Sequence, residues 1–320
     1  PLTATKMKQF IYSIIFIGTL SLTVNAQSGI KLTDYYHNPI QYNPAYVGVS
    51  NGYFVKGTYT SQWLGFDDGP VTQTLDVQRR FSNNRYAAGL SILNDDFGAV
   101  KNFNIEANFG LHLRATEAIG FVLGLKAGLN NFSIDYNRLN IYDPTEFVYA
   151  NGNLSEVKPI IGAGFYFYGR KWFFGMSVPN IVSHRLADEL NRDIYNKISH
   201  FYTTIGFDST ISQDVLLKSQ ALIQMVEGAP ISALLTTRAQ YRDKIGLGLQ
   251  YQPEALYGAF VNIRFKSEFT LTYGYDMALS DLSQYANGNH YFGLSYKFGQ
   301  DEKCDCEDDI NNEDRVYITR

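Results

Sequence analysis

Few side chains of this 320-residue chain have the types and spacings needed for chemistry. The five histidines are His37, His112, His184, His200 and His290, and none belongs to a G-x-S-x-G, H-E-x-x-H or comparable motif. Catalysis needs a nucleophile, a base and an orienting group in one place. The sequence therefore predicts a protein that is not an enzyme, with no catalytic residue and no cofactor. The alternative is an enzyme built on His112 or His200, because both histidines lie on the more polar face of the β-strands predicted below, which would face the lumen of a barrel.

Two acidic pairs could bind a metal ion. Asp67–Asp68 lies in the sequence D-D-G-P, and Asp95–Asp96 lies in D-D-F-G. Clustered carboxylates can bind Ca²⁺, but neither stretch has the spacing of a calcium loop. Both are ordinary turn sequences. We interpret them as turns in outside loops and predict no metal site.

The two cysteines, Cys304 and Cys306, lie in an acidic C-terminal segment. A lone C-x-C pair lacks two of the four ligands of a structural zinc site, so a redox pair is the chemical alternative to a solvated tail. Residues 301–320 contain eight acidic and three basic side chains. Such a run is typical of a solvated segment, and the functional alternative is a docking tail for a basic periplasmic partner.

The elements that carry these residues have the pattern of β-strands. Aromatic residues make up 15 % of the chain, charged residues make up 18 %, and there are 27 glycines, a composition that suits strands. In Ile119–Leu129 the odd positions are apolar or alanine, whereas the even positions are mostly glycine and include a lysine. Successive residues of a strand point to opposite faces. The formal net charge of −4 argues against nucleic acid as a partner.

The same alternation recurs along the chain and predicts a transmembrane barrel. Most segments are about ten residues long, as a strand crossing a lipid bilayer requires. Every second connection is short and the long ones alternate with them, as in outer-membrane barrels with short periplasmic turns. We predict an all-β antiparallel barrel of about 14 strands, near residues 52–65, 71–82, 86–94, 102–115, 119–132, 158–168, 171–178, 199–209, 214–226, 231–241, 244–251, 257–266, 268–277 and 289–298.

Charged residues of these segments sort onto one face. A lysine or arginine facing lipid at mid-depth costs about 2–4 kcal/mol, so charges are expected to face the lumen. Arg79 is an exception, which its position near a turn would make tolerable. The charges on the more polar face are Lys56, Glu106, Arg114, Lys126, Lys218, Arg238 and Arg264.

The remaining segments complete the predicted organisation. Residues 1–26 resemble a signal peptide with an upstream extension at 1–6 and a cleavage site at Val24-Asn25-Ala26; a buried N-terminal helix is the alternative. Residues 27–51 form an N-terminal periplasmic or lumen segment, 52–299 the barrel and 300–320 an acidic periplasmic tail. Both chain termini are expected in the periplasm.

The segment Tyr35–Gly48, YYHNPIQYNPAYVG, contains two Asn-Pro steps and five aromatic rings. Proline removes a hydrogen-bond donor and fixes φ, so we predict neither a helix nor a central strand. The rings favour packing against the lower barrel wall or inside the lumen over a flexible leader.

This segment and the region after it resemble the PorP/SprF family of the Bacteroidetes type IX secretion system. The resemblance extends over the full length in layout, and its motifs lie in the first hundred residues. They are an N-P-A-x-x-G stretch, a Q-W pair, a G-P turn and an N-D-x-x-G turn after the third strand. One departure is Thr60, where the family often has arginine. The matching residues are Asn43, Pro44, Ala45, Gly48, Gln62, Trp63, Gly69, Pro70, Asn94, Asp95 and Gly98.

The resemblance implies a function in the bacterial outer membrane. Family members are thought to secrete or anchor large surface proteins, including gliding adhesins, by engaging their C-terminal domains. The implied partners are the cargo C-terminal domain, other periplasmic and outer-membrane secretion components and the lipid bilayer. Long loops at 133–157 and 179–198 are the expected surface contacts. The alternative function is transport of a small or hydrophobic solute, with the N-terminal segment acting as a hatch.

Overall fold

Fourteen strands form a closed antiparallel barrel, and the last strand pairs with the first. The predicted all-β antiparallel barrel of about 14 strands is therefore confirmed. The computed structural model describes residues 35–48, 52–65, 68–81, 85–114, 116, 119–138, 154–182, 184–187, 193–197, 199–266, 268–279 and 287–299. The predicted signal peptide and acidic tail lie outside these residues. No helix in the described ranges is long and apolar enough to span a membrane.

Each of the fourteen predicted segments corresponds to a barrel strand. Two further strands, His184–Ala187 (β8) and Asp193–Lys197 (β9), form a hairpin in the predicted loop 179–198, as a separate two-stranded sheet that strand alternation did not predict. The strands are β1 Gly52–Ser61, β2 Val71–Arg80, β3 Tyr86–Phe97, β4 Val100–Arg114, β5 Ile119–Ile134, β6 Leu154–Gly169, β7 Trp172–Val178, β8 His184–Ala187, β9 Asp193–Lys197, β10 His200–Thr210, β11 Val215–Val226, β12 Ser232–Tyr241, β13 Ile245–Gln252, β14 Leu256–Phe265, β15 Phe269–Ala278 and β16 Asn289–Phe298.

The two ends of the barrel differ in their connections. At the short-turn end, where β1 begins and β16 ends, every connection between consecutive barrel strands has two to five residues. The other, long-loop end carries the connections 62–70, 135–153, 179–199 and 279–288. It also carries short turns at 98–99, 227–231 and 253–255. The predicted segregation of long loops is thus correct, although not every connection at that end is long.

The third strand is longer than predicted, which corrects one turn. We expected Asn94 and Asp95 to form a turn, with the pair Asp95–Asp96 in a loop. Instead β3 continues to Phe97, and the reversal is the two-residue turn Gly98–Ala99. Gly98 has φ +57°, a value that glycine adopts without a steric cost. One glycine in this position allows a tight hairpin, so the acidic pair remains in the strand.

The barrel has an apolar outer surface and a polar lumen. Leu125, Leu247 and Leu249 expose 60 %, 63 % and 67 % of their surface on the outside, an exposure that suits contact with lipid. Glu106, Lys126, Lys218 and Arg238 are buried in the lumen, as the charge sorting predicted. Lys56 and Arg264 are half-buried, and Arg114 is exposed near the short-turn end.

Arg79 is the predicted exception and points outward near the short-turn end. Its guanidinium lies over the ring of Tyr53, 4.6 Å from the centroid, and 5.6 Å from that of Phe81. A cation over an aromatic face is stabilised by the ring quadrupole. These two rings hold the charge at the edge of the apolar surface, where an arginine is tolerated.

Candidate functional site in the barrel lumen

Residues 35–48, which we call the plug, pack inside the barrel. Tyr35, Tyr42 and Tyr46 expose 1 %, 5 % and 5 % of their surface. The hydroxyls of Tyr35 and Tyr46 are 2.8 Å apart, and the Tyr35 ring meets the rings of Tyr42 and Tyr46 edge-on. Burial raises the pKa of the Tyr46 hydroxyl well above its ordinary value, so this group stays protonated. The plug therefore has an aromatic core of its own.

Each Asn-Pro step begins one helical turn of the plug. Pro39 starts a short helix, α1 (Pro39–Tyr42), and Pro44 starts a 3-10 turn, Pro44–Tyr46. The prediction that this segment contains no helix was therefore wrong for these two single turns, because proline is compatible with the first helical position. The Asn43 side chain accepts a hydrogen bond from the Ala45 N–H at 2.9 Å, as an N-cap does. The same side chain donates to the Phe165 carbonyl at 3.1 Å.

The plug lies against a row of glycines on the lumen wall. Gly110, Gly124 and Gly164 are direct cross-strand neighbours on β4, β5 and β6. A Cβ added at Gly124 would lie 2.1 Å from the Ala45 nitrogen, and one at Gly164 would lie 2.2 Å from Asn43 Oδ1. No side chain fits there without displacing the plug. We call these three residues, with Gly89 on β3 and Gly175 on β7, the glycine seat.

The neighbouring side chains bind the main chain of the plug. On β5 and β7, Lys126 Nζ donates to the Gln41 carbonyl at 3.1 Å and Ser177 Oγ donates to the Tyr42 carbonyl at 2.8 Å. On β2, Gln78 Oε1 accepts from the Gly48 N–H at 3.0 Å. Backbone groups buried away from water need such partners. The strands around the glycine seat supply them.

A second part of the wall, on β12 to β16, holds plug side chains instead. The His37 ring stacks on Tyr291 with centroids 4.2 Å apart and meets Phe260 edge-on at 4.8 Å. Tyr36 packs on Phe260 at 4.8 Å and lies 5.3 Å from the Arg238 guanidinium. The plug therefore contacts opposite parts of the wall through different groups.

A buried ion pair lies beside the glycine seat. Lys126 Nζ is 2.5 Å from Glu106 Oε2, and the two side chains expose 1 % and 6 % of their surface. Asn104 donates to the other Glu106 oxygen at 3.2 Å. On β2, Asp76 accepts a bond from Gln41 Nε2 at 3.1 Å. Charged residues of the wall thus bind both the main chain and a side chain of the plug.

The remaining motif residues meet at the long-loop end. The Trp63 ring packs edge-on against Phe97 with centroids 5.5 Å apart. The backbone N–H of Trp63 donates to Asn289 Oδ1 at 3.1 Å. Asp95 accepts from Thr72 Oγ1 at 2.6 Å. Trp63 has φ +53°, a strained value for a bulky residue. The Q-W and N-D-x-x-G motifs therefore join the loop 62–70 to β3 and β16.

Arg138 contacts acidic side chains that were considered as metal ligands. The Arg138 guanidinium is 2.7 Å from an Asp68 oxygen and 3.4 Å from an Asp96 oxygen. Lys101 lies 3.4 Å from Asp96. Within the described ranges no group of three potential metal ligands is present. Asp68 and Asp96 are therefore held in ion pairs, and Asp96 lies in β3 rather than in the predicted turn.

The two lumen histidines lie in different places. His112 Nε2 is 3.0 Å from the Val47 carbonyl at the short-turn end of β4. His200 begins β10 at the long-loop end, and its Nδ1 is 2.6 Å from Gln224 Nε2. His112 therefore contacts the plug, whereas His200 contacts the opposite end of the wall. The two histidines do not form one site.

A family model describes most of the chain and decides its classification. Residues 24–296 match the family described as type IX secretion system membrane protein PorP/SprF. The chain belongs to the PorP/SprF family. This PorP/SprF barrel is a bacterial outer-membrane protein, and its short-turn end is periplasmic by the general rule for such barrels. No curated protein shows significant sequence similarity to it.

One solved outer-membrane barrel shares the overall fold of this PorP/SprF protein, and other barrels are more distantly similar. The CymD monoaromatic hydrocarbon channel is 11 % identical with a TM-score of 0.53, covering 86 % of this chain and 95 % of CymD. The Pseudomonas putida toluene transporter TodX is 8 % identical, with a TM-score of 0.49 and coverages of 82 % and 95 %. Omp33 of Acinetobacter baumannii is 9 % identical, with a TM-score of 0.47 and coverages of 78 % and 100 %. At these identities the likeness concerns the fold alone.

The residues predicted to carry the PorP/SprF motifs fall into two groups in space. The residues of the N-P-A-x-x-G stretch lie in the plug. The residues of the Q-W, G-P and N-D-x-x-G motifs lie at the long-loop end. Sequence reasoning missed the glycine seat, which contacts the first group. The available signal was glycine at every fourth position of β5, at Gly120, Gly124 and Gly128, all on the face that points into the lumen.

Proposed function

We propose that this PorP/SprF barrel acts as a surface anchor or export partner for a large secreted protein, and that it does not conduct solutes. The observation that supports the proposal is the plug, which contacts wall residues on β1 to β7, β10, β12, β14 and β16. A lumen filled in this way leaves the rims as the surfaces for a partner. The cargo would engage the outer rim through its C-terminal domain.

The proposed outer contact includes the loop 179–199, which carries the hairpin β8–β9. This hairpin belongs to no part of the barrel sheet, so it can be altered without removing a barrel strand. The loop 135–153 lies mostly outside the described residues. Loops positioned by a rigid scaffold are common binding elements, which supports the hairpin as the first region to test.

The cargo is testable by capture from native membranes. A tagged chain, crosslinked and then purified, is expected to recover a large secreted surface protein linked through its C-terminal domain. A chain with the hairpin β8–β9 replaced by a short Gly-Ser turn is the variant, and replacement of the turn 227–231 at the same end of the barrel by a Gly-Ser turn is the matched control. Repeated recovery of the barrel alone would contradict the proposal, as would equal capture by the hairpin variant.

Transport of a small or hydrophobic solute is the competing function. CymD is described as a monoaromatic hydrocarbon channel and TodX as a toluene transporter, which makes this alternative worth testing. Conductance in planar bilayers separates the two functions. The intact chain is expected to be silent, and a chain lacking residues 35–48 is expected to conduct. Stable conductance by the intact chain would support transport and contradict anchoring.

A further inference from the structure

The barrel has a periplasmic rim at its short-turn end and an outer rim at its long-loop end, and the two rims carry opposite charge. Among side chains that the structure describes as exposed or half-buried, the periplasmic rim has nine basic and three acidic groups, and the outer rim has three basic and seven acidic groups. The periplasmic basic groups are Arg79, Arg85, Arg114, Arg170, Lys171, Arg242, Lys244, Arg264 and Lys266. The acidic groups beside them are Asp214, Asp243 and Glu268.

The acidic groups of the periplasmic rim neutralise only part of this charge. Arg242 Nε is 3.0 Å from an Asp214 oxygen, and Arg264 pairs with Asp243. Arg170, Lys171, Lys244 and Lys266 remain exposed on three different turns. Lysine and arginine clustered on one surface create a positive potential that attracts acidic segments.

The chain itself supplies an acidic segment at this end. The last barrel strand, β16, ends at Phe298 in the periplasmic rim, and Gly299 follows. Residues 301–320 then contain eight acidic and three basic side chains. About twenty extended residues reach roughly 65–70 Å. The segment is therefore long enough to contact every turn of the rim.

We propose that residues 301–320 dock on the basic periplasmic rim of their own barrel. The attachment at Gly299 keeps the acidic segment at a high local concentration near the rim, which favours it over a free acidic partner. Contact is carried by carboxylates of the segment and the lysines and arginines of the turns. The docked segment covers the rim surface that a negatively charged periplasmic protein would otherwise reach.

A zero-length carbodiimide crosslink tests the contact directly. The reagent joins carboxylates to lysine amines, so peptides from residues 301–320 are expected to link to Lys171, Lys244 and Lys266. The outer-rim lysines Lys101 and Lys158 are the internal controls. The yield of the crosslinks to the periplasmic rim should fall several-fold between 0.1 and 1 M NaCl, because the Debye length falls from about 10 to about 3 Å. Absence of links, or equal links to both rims, would overturn the proposal.

The two cysteines allow a second measurement on the full-length protein. Both lie in the acidic segment, so Cys306→Ser leaves Cys304 as the single site for a spin label. The motion of the spin label is expected to be restricted in an uncharged detergent. It should become free when Lys171→Glu, Lys244→Glu and Lys266→Glu are combined. Lys101→Glu with Lys158→Glu is the matched control and should leave it restrained.

The label also separates the proposal from two competing occupants of the rim. Restraint that appears only in nanodiscs containing anionic lipid would assign the segment to the membrane. Restraint that appears only after addition of periplasmic extract would assign it to another protein. Either result would overturn docking on the barrel itself. An unheated gel-mobility assay shows that each variant has kept the folded barrel.

Discussion

The two parts of the wall that face the plug hold it by different means. On β2 to β7 the wall carries glycines, which leave room for the plug, and side chains that bind plug carbonyls. On β12 to β16 the wall carries large rings that stack on Tyr36 and His37. The first part binds main-chain groups as well as side chains of the plug, whereas the second packs against the side chains of Tyr36 and His37. This difference predicts that substitutions on β2 to β7 have the larger effects.

The largest effect is expected from Lys126→Met. The change leaves Glu106 buried without its cation and removes the bond to the Gln41 carbonyl. Loss of one partner of a buried ion pair costs about 3–5 kcal/mol, measured as the free energy of unfolding by urea titration. Lys126→Met with Glu106→Gln is the control and should recover part of the loss. Equal loss in both variants would show that the bond to the plug, rather than the ion pair, determines stability.

A smaller effect is expected from Gly124→Ala on the glycine seat. The new Cβ would lie 2.1 Å from the Ala45 nitrogen, and such overpacking costs about 1–3 kcal/mol. Limited proteolysis should then cleave residues 35–48 in the folded barrel. Gly57→Ala is a matched control, because its Cβ would have its nearest neighbour at 4.0 Å. Equal protease resistance of the two variants would refute the seat.

The smallest effect is expected from His37→Leu on the opposite part of the wall. Leucine keeps an apolar side chain of similar size but loses the stacking with Tyr291 and the edge contact with Phe260. Aromatic pairs contribute about 0.5–1.5 kcal/mol beyond burial. Urea titration should show a loss in that range, with the plug still protected from protease. A loss larger than that of Gly124→Ala would reverse the comparison between the two parts of the wall.

The barrel could be predicted from the sequence because strand alternation is a local signal. Each residue of β5, for example, faces lipid or lumen according to its parity alone. The hairpin β8–β9 was missed because its two strands have four and five residues, too few for alternation to be evident. The turn after β3 was misplaced because D-D-F-G suits a turn at several positions, and only pairing with β4 selects Gly98–Ala99.

The site was less predictable because it depends on residues far apart in sequence. The two Asn-Pro steps and the rings indicated a packed N-terminal segment, yet nothing near them specifies the partner. Gly124 becomes part of a seat only because its neighbours on β4 and β6 are also glycine and Ala45 lies above it. Arg138 reaches Asp68 across 70 positions. Such contacts follow from barrel closure rather than from local pattern.

Closure of the barrel by β16 on β1 has a consequence for the order of assembly. The plug precedes every strand in the chain, and its bonds to Thr58 and Thr74 join residues only 20 and 36 positions apart. The last strand is more than 240 residues from the plug. Short loops close more readily than long ones, so the plug can organise the first strands while the sheet is still open. The segment that fills the finished lumen is thereby available as a folding template for the wall that encloses it.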